Sequence, residues 1–269
     1  MRNITFISIG LLTAAGVGYY LWQQPQSQKN APTRAPQEHA LVESSPGAQA
    51  HASSETKTHY PVSPIYSSGA QAPDQLPGLD ESDDWLDENI SSLLGGKAFI
   101  ELLNQDLIRR IVVTVNNATE KKLPLEFSPF KPAEGELITS HHGKLFWMSP
   151  RNSERYGAYL KPIRTLDIGR LAELYHKSYP LFQAAYKDLG SPGYFNDRLI
   201  EVIDHLLKTP ENAEPIQLIQ PNIVYLYANP DIESLSGSQK LLIRMGPANS
   251  QFIKTKLREF RNFVTHLDR

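Results

Sequence analysis

The residues with the most chemistry to offer in this 269-residue chain are Asn196, Asp197, Arg198, Glu201, Asp204 and His205. At ~100° per residue, Asp197, Arg198, Glu201, Asp204 and His205 fall on one side of a helix. Leu199, Ile200, Val202, Ile203, Leu206 and Leu207 fall on the other. Asp197 and Glu201 are one turn apart, as are Glu201 and His205, so a carboxylate can raise the basicity of the imidazole. Two readings follow. In the first, Glu201, Asp204 and His205 form a catalytic face for metal-assisted hydrolysis. A single turn supplies too few ligands for zinc, so His141, His142 or His176 would have to complete it. In the second, the charged residues are a solvated face, or Asn196, Asp197, Arg198 and Glu201 form a buried polar network that docks the helix through Arg198. The second is preferred, because structural ion-pair networks commonly imitate sites.

Lys254, Arg258 and Arg261 recur at spacings of four and three, beside an apolar seam of Ile253, Leu257, Phe260, Val264 and Leu267. They predict a basic stripe, with Lys240 and Arg244 as neighbours, for an anionic envelope polymer, lipid head groups or an acidic protein partner. The plainer alternative is a solvated helix face. Tyr156, Tyr159, Tyr175, Tyr179, Tyr186, Tyr194, Tyr225 and Tyr227 suit a core with hydroxyls reaching outward, or a glycan- or peptide-binding groove. His141 and His142 are placed on a hairpin tip, where adjacent side chains point apart and do not share a ligand. No phosphate-cradling glycine loop, nucleophile elbow or two-histidine zinc helix is present in the sequence. No cofactor and no resident metal are expected.

The elements that must position these residues follow from composition. With a net charge of −2 and no cysteine, the chain has neither a basic balance for nucleic acid nor thiols for disulfides or metal. Residues 1–22 read as a transmembrane anchor. Ile4 to Trp22 carry no charge, and nineteen helical residues at ~1.5 Å each reach ~28 Å, close to the ~30 Å of a bilayer core. Arg2 precedes the span and no basic residue follows until Lys29, which orients the remainder away from the cytoplasm. The competing reading is a signal peptide cut at Tyr19, for which the apolar run is too long. Gly10, Ala14 and Gly18 form a small-residue stripe that would suit a homodimer in the membrane. Residues 23–77, rich in Pro, Ser, Ala and Gln, read as a disordered spacer.

Residues 78–269 are long enough for one core. The predicted class is mainly α (α+β): a multi-helix domain with a small β-hairpin, preceded by the anchor. Helices are expected from Asp80 or Ser82 to Leu94, over 97–103, 106–117, 167–189, 193–207 and 238–245, and from Pro247 to His266. Pro180 should kink or interrupt the long one. The hairpin is expected over 136–148, and a short strand or extended packing segment within 216–227.

Leu76-Pro77-Gly78-Leu79-Asp80, Gly95-Gly96-Lys97-Ala98, residues 174–190 and 193–207, and Lys240 to Pro247 together resemble a bacterial family recorded as domain of unknown function 3014. Tyr194-Phe195-Asn196-Asp197-Arg198-Leu199 and Arg244-Met245-Gly246-Pro247 are the most specific pieces. The resemblance implies an envelope protein with one N-terminal anchor and brings no functional residue with it. The expected role is a periplasmic interaction or scaffold module at the inner membrane, with the metal-assisted hydrolase as the alternative.

Overall fold

The computed structural model describes residues 60–62, 76–94, 96–97, 99–143, 145–211 and 215–265. Eight α-helices are assigned among them: α1 Ser82–Leu94, α2 Leu107–Asn117, α3 Gly157–Ile163, α4 Ile168–Asp188, α5 Phe195–Leu207, α6 Pro230–Ser234, α7 Gly237–Arg244 and α8 Pro247–Thr265. Four strands, β1 Thr139–His142, β2 Leu145–Met148, β3 Ile216–Ile219 and β4 Leu226–Tyr227, form one antiparallel sheet in that order. The fold is mainly helical, α+β.

The helices form where apolar residues recur at the helical period. On α5 that face is Phe195, Leu199, Ile200, Val202, Ile203 and Leu206, all buried. It packs against α8, whose seam is Ile253, Leu257, Phe260 and Val264. Both pack with α4 around one core, where Tyr175 meets Phe260 edge-on at 5.7 Å and Phe182 stacks on Phe195 at 5.4 Å. The sheet closes a second, smaller core of Met148, Ile216, Leu218, Tyr227, Ile232 and Ile243.

Helix ends leave backbone N–H and C=O groups without partners, and side chains satisfy them here. Asp167 caps α4 by accepting from the Gly169 and Arg170 amides. Ser236 and Gln239 form a reciprocal capping box on α7. Asp83 of α1 accepts from the Asp106 and Leu107 amides at the start of α2. That contact accompanies a left-handed Asp106, at φ 57°.

Several expectations are corrected. Within 97–103 only a 3-10 turn, Ile100–Leu102, forms. His141 and His142 lie within β1, paired with Phe146 and Leu145, and not at the tip; the left-handed Gly143 carries the chain into the turn. The 216–227 region supplies two strands, extending the hairpin into a four-stranded sheet. Helix α4 runs uninterrupted through Pro180. Helices α3 and α6 lie outside the expected elements; α6 opens on an Asn229 cap with Pro230 in its first turn. Within the expected spacer, Tyr60 and Leu76 pack against the main core. Among the described residues no helix is long and apolar enough to cross a membrane. Ile4 to Trp22, with Gly10, Ala14 and Gly18, lies outside the described residues.

Phe260 is wholly buried, so Phe260→Ala should lower the unfolding free energy by ~3–5 kcal/mol in chemical denaturation. Phe263→Ala, three residues on and 47% exposed, should cost far less.

Candidate functional site

Helix α5 is fixed at both ends by side chains from its neighbours. Its N-cap residue, Tyr194, makes no side-chain cap. Gln183 of α4 substitutes: its Oε1 accepts from the Phe195 amide at 2.9 Å, and its Nε2 donates to the Gly193 carbonyl at 3.1 Å. Just beyond the other end, the Lys254 ammonium of α8 donates to the Thr209 carbonyl. Arg198 reaches sideways to α2, donating to the Asn116 carbonyl at 2.7 Å and the Thr119 hydroxyl at 2.8 Å. A cation among the last carbonyls of α2 also opposes the negative end of its dipole.

Asn196 is fully buried. Its Oδ1 accepts from the Tyr175 hydroxyl at 3.0 Å, and its Nδ2 donates to the carbonyls of Val264 (3.2 Å) and Tyr60 (3.0 Å). The Val264 carbonyl belongs to the last turn of α8, so one amide ties α4, α5 and α8 together. It also fastens Tyr60 from the N-terminal region. The adjacent Asp197 completes that grip, its Oδ1 accepting from the Tyr60 amide at 3.1 Å. Asn196 and Asp197 thus read the C=O and N–H of one residue, as a neighbouring strand would. The Arg261 guanidinium also faces the Tyr60 side chain, whose hydroxyl helps to raise the Arg261 pKa after Asp204.

The other ionisable groups of α5 are likewise engaged. Asp204 accepts two hydrogen bonds from Arg261, at 2.6 and 2.9 Å, in a bidentate pair. Glu201 pairs with Arg198 at 2.7 Å and remains largely exposed. His205 Nε2 lies 2.8 Å from the Ser236 hydroxyl. A histidine beside a serine resembles a nucleophile and its base. Here Ser236 is buried, accepts from the Gln239 amide and caps α7, so its hydroxyl serves the fold. Burial, with Lys208 and Arg198 nearby, pushes the His205 pKa below its ordinary 6.5.

Glu201, Asp204 and His205 therefore turn to three different partners. His141 and His142 are exposed on β1, and His176 is buried on α4. Among the described residues no group of three or more His, Cys, Asp or Glu side chains could hold a metal ion.

The three residues of the basic stripe differ in their surroundings. Lys254 is buried, and burial lowers its pKa; Arg261 is held by Asp204; Arg258 stays exposed. Ser250, Ile253, Lys254 and Leu257 are all buried, so Lys254 lies on the apolar seam itself. Of the tyrosines, Tyr156, Tyr159, Tyr175, Tyr186 and Tyr227 are core residues. Burial pushes Tyr156 up to about 12 and Tyr175 well above its ordinary value.

A cleft of about 350 Å³ runs along the polar side of α5, lined by Tyr60, Tyr186, Tyr194, Asp197, Arg198, Glu201 and Asp204 among others. Such a volume is at the small end of ligand sites. The sequence pattern had placed Asp197, Arg198, Glu201 and Asp204 together, but not Tyr60 or Gln183. Tyr60-Pro61-Val62 did carry a signal: an aromatic, a proline and a β-branched residue in a stretch otherwise poor in large apolar groups.

Residues 107–261, which include α2, the sheet, the cleft helix and most of α8, match the profile of a family described as protein of unknown function, DUF3014. The chain belongs to this family. No curated protein and no solved structure matches the chain.

Protonation of His205 should favour the unfolded chain, because its folded pKa lies below the unfolded one. The stability it contributes is present above pH 6.5 and is lost as pH falls below that value. Chemical denaturation at pH 7.5 and 5.5 should therefore show a smaller acid loss for His205→Asn than for the natural protein. Equal losses would remove His205 from the pH response.

Proposed function

We propose that this DUF3014 protein is a non-enzymatic interaction module of the bacterial envelope, with the cleft along α5 as its docking surface. The observation that carries this reading is the engagement of every charged side chain lining that cleft. Asp204 is held by Arg261, Glu201 by Arg198, and Asp197 by the Tyr60 backbone. Such groups fix a shaped, polar surface with aromatic edges; none is set aside to exchange protons. Surfaces of tyrosine and arginine around a rigid cleft are common anchors for protein partners.

The reading also takes residues 1–22 as an inner-membrane anchor and places the folded domain in the periplasm. Support comes from the uncharged run Ile4 to Trp22 and the single Arg2 before it. Anchoring confines the cleft near membrane-bound partners and raises their local concentration.

A photo-crosslinking residue at Glu201, in cells, should give an adduct of one defined size. The same residue at Arg151, outside the cleft, should not give it, and Pro192→Trp should abolish it by filling the cleft. Equal adducts from both positions would contradict the docking role. A periplasm-dependent reporter enzyme at the C-terminus should be active; activity of a cytoplasm-dependent one would overturn the location.

A further inference from the structure

We infer that the seat formed by Asn196 and Asp197 at the edge of the α5 cleft is a binding site for an extended peptide with a tyrosine at its anchor position, and that the segment around Tyr60 is its resident ligand. This rests on the docking role above and specifies the ligand's chemistry and the competitor built into the chain.

The first argument is the contact itself. Tyr60 and Asp197 are 137 positions apart, yet the Tyr60 amide and carbonyl are both taken by adjacent side chains, Asp197 and Asn196. Recognition through backbone groups is how extended peptides are usually held. The second is preorganisation. A residue before proline is restricted to extended conformations, so Pro61 holds Tyr60 ready for this pairing and lowers the entropy lost on docking. The third is the anchor. The Tyr60 ring packs against the main core while its side chain faces Arg261, which Asp204 holds in place. Phenylalanine in that position would keep the ring contact and lose the hydroxyl that faces Arg261.

The site also favours being filled. One Asn196 N–H and one Asp197 oxygen point at the Tyr60 backbone, and Asn196 is buried with Tyr60 in place. Release of Tyr60 uncovers both groups, so another extended backbone can take the same two hydrogen bonds. Residues 63–75 join the resident segment to the start of the folded domain at Leu76. A connection this short gives an effective concentration on the order of mM, so the resident segment excludes weak ligands and yields to stronger or clustered ones.

The test uses the full-length chain and a fluorescent peptide of residues 56–64. Fluorescence anisotropy should show the peptide binding a Tyr60→Gly, Pro61→Gly, Val62→Gly variant at least ~10-fold more tightly than the natural chain, as expected if an internal ligand is removed. Adding Asp197→Ala to that variant should weaken binding at least ~10-fold, as should a Tyr60→Ala change in the peptide; a Tyr60→Phe peptide should lie between. Equal binding to the natural and triple-glycine chains, no binding to either at ~1 mM peptide, or indifference to both alanine changes would each overturn the inference. Its failure with the Glu201 adduct intact removes the tyrosine peptide and leaves the docking role. Loss of the adduct with peptide binding intact does the reverse.

Discussion

A single buried amide holds this structure in register. Asn196 is wholly shielded from water, and every polar atom of its side chain is used: the oxygen by Tyr175, the nitrogen by Val264 and Tyr60. A buried amide left unpaired costs on the order of 1–3 kcal/mol per lost partner, so the four segments it touches are specified together. The apolar seams of α4, α5 and α8 supply the bulk of the driving force, but apolar contact alone tolerates sliding. The amide sets where α5 sits along α8 and where the N-terminal segment crosses them.

The same logic governs the other helix ends. Asp83 caps α2 from α1, Gln183 caps α5 from α4, Arg198 satisfies the end of α2 from α5, and Lys254 satisfies the carbonyl beyond α5 from α8. Each contact removes an orphaned backbone group and fixes one helix against another. Most polar residues that looked chemical are consumed in this way. The charges of α5 frame a cleft, at whose edge Asn196 and Asp197 hold the Tyr60 backbone.

The sequence disclosed the parts of this arrangement that depend on neighbours within a turn or two. The apolar face of α5 and the span of α4 follow from a 3.6-residue period, and both elements form within one or two residues of expectation. Partner choice is a long-range property and was not legible. Asp204 and Arg261 are 57 positions apart, and Arg198 and Asn116 are 82 apart. Lys254 was misplaced because its charge outweighed its position, though Ser250, Ile253, Lys254 and Leu257 repeat at one-turn spacing and bury together. Strands β3 and β4 were compressed into one segment, since an apolar run broken by Pro221 does not reveal a sheet partner. Tyr60 was hidden by its surroundings: composition averaged over a spacer conceals three residues that differ from it.

The account depends most on the seating of Tyr60 against Asn196 and Asp197. Residue-resolved amide hydrogen exchange on the full-length protein at neutral pH tests it most directly. The Tyr60 amide should exchange much more slowly than in a free peptide of the same sequence, and Asp197→Ala should return it towards the free rate without unfolding α5. A Tyr60 amide that exchanges at the free-peptide rate in the natural protein would contradict the account.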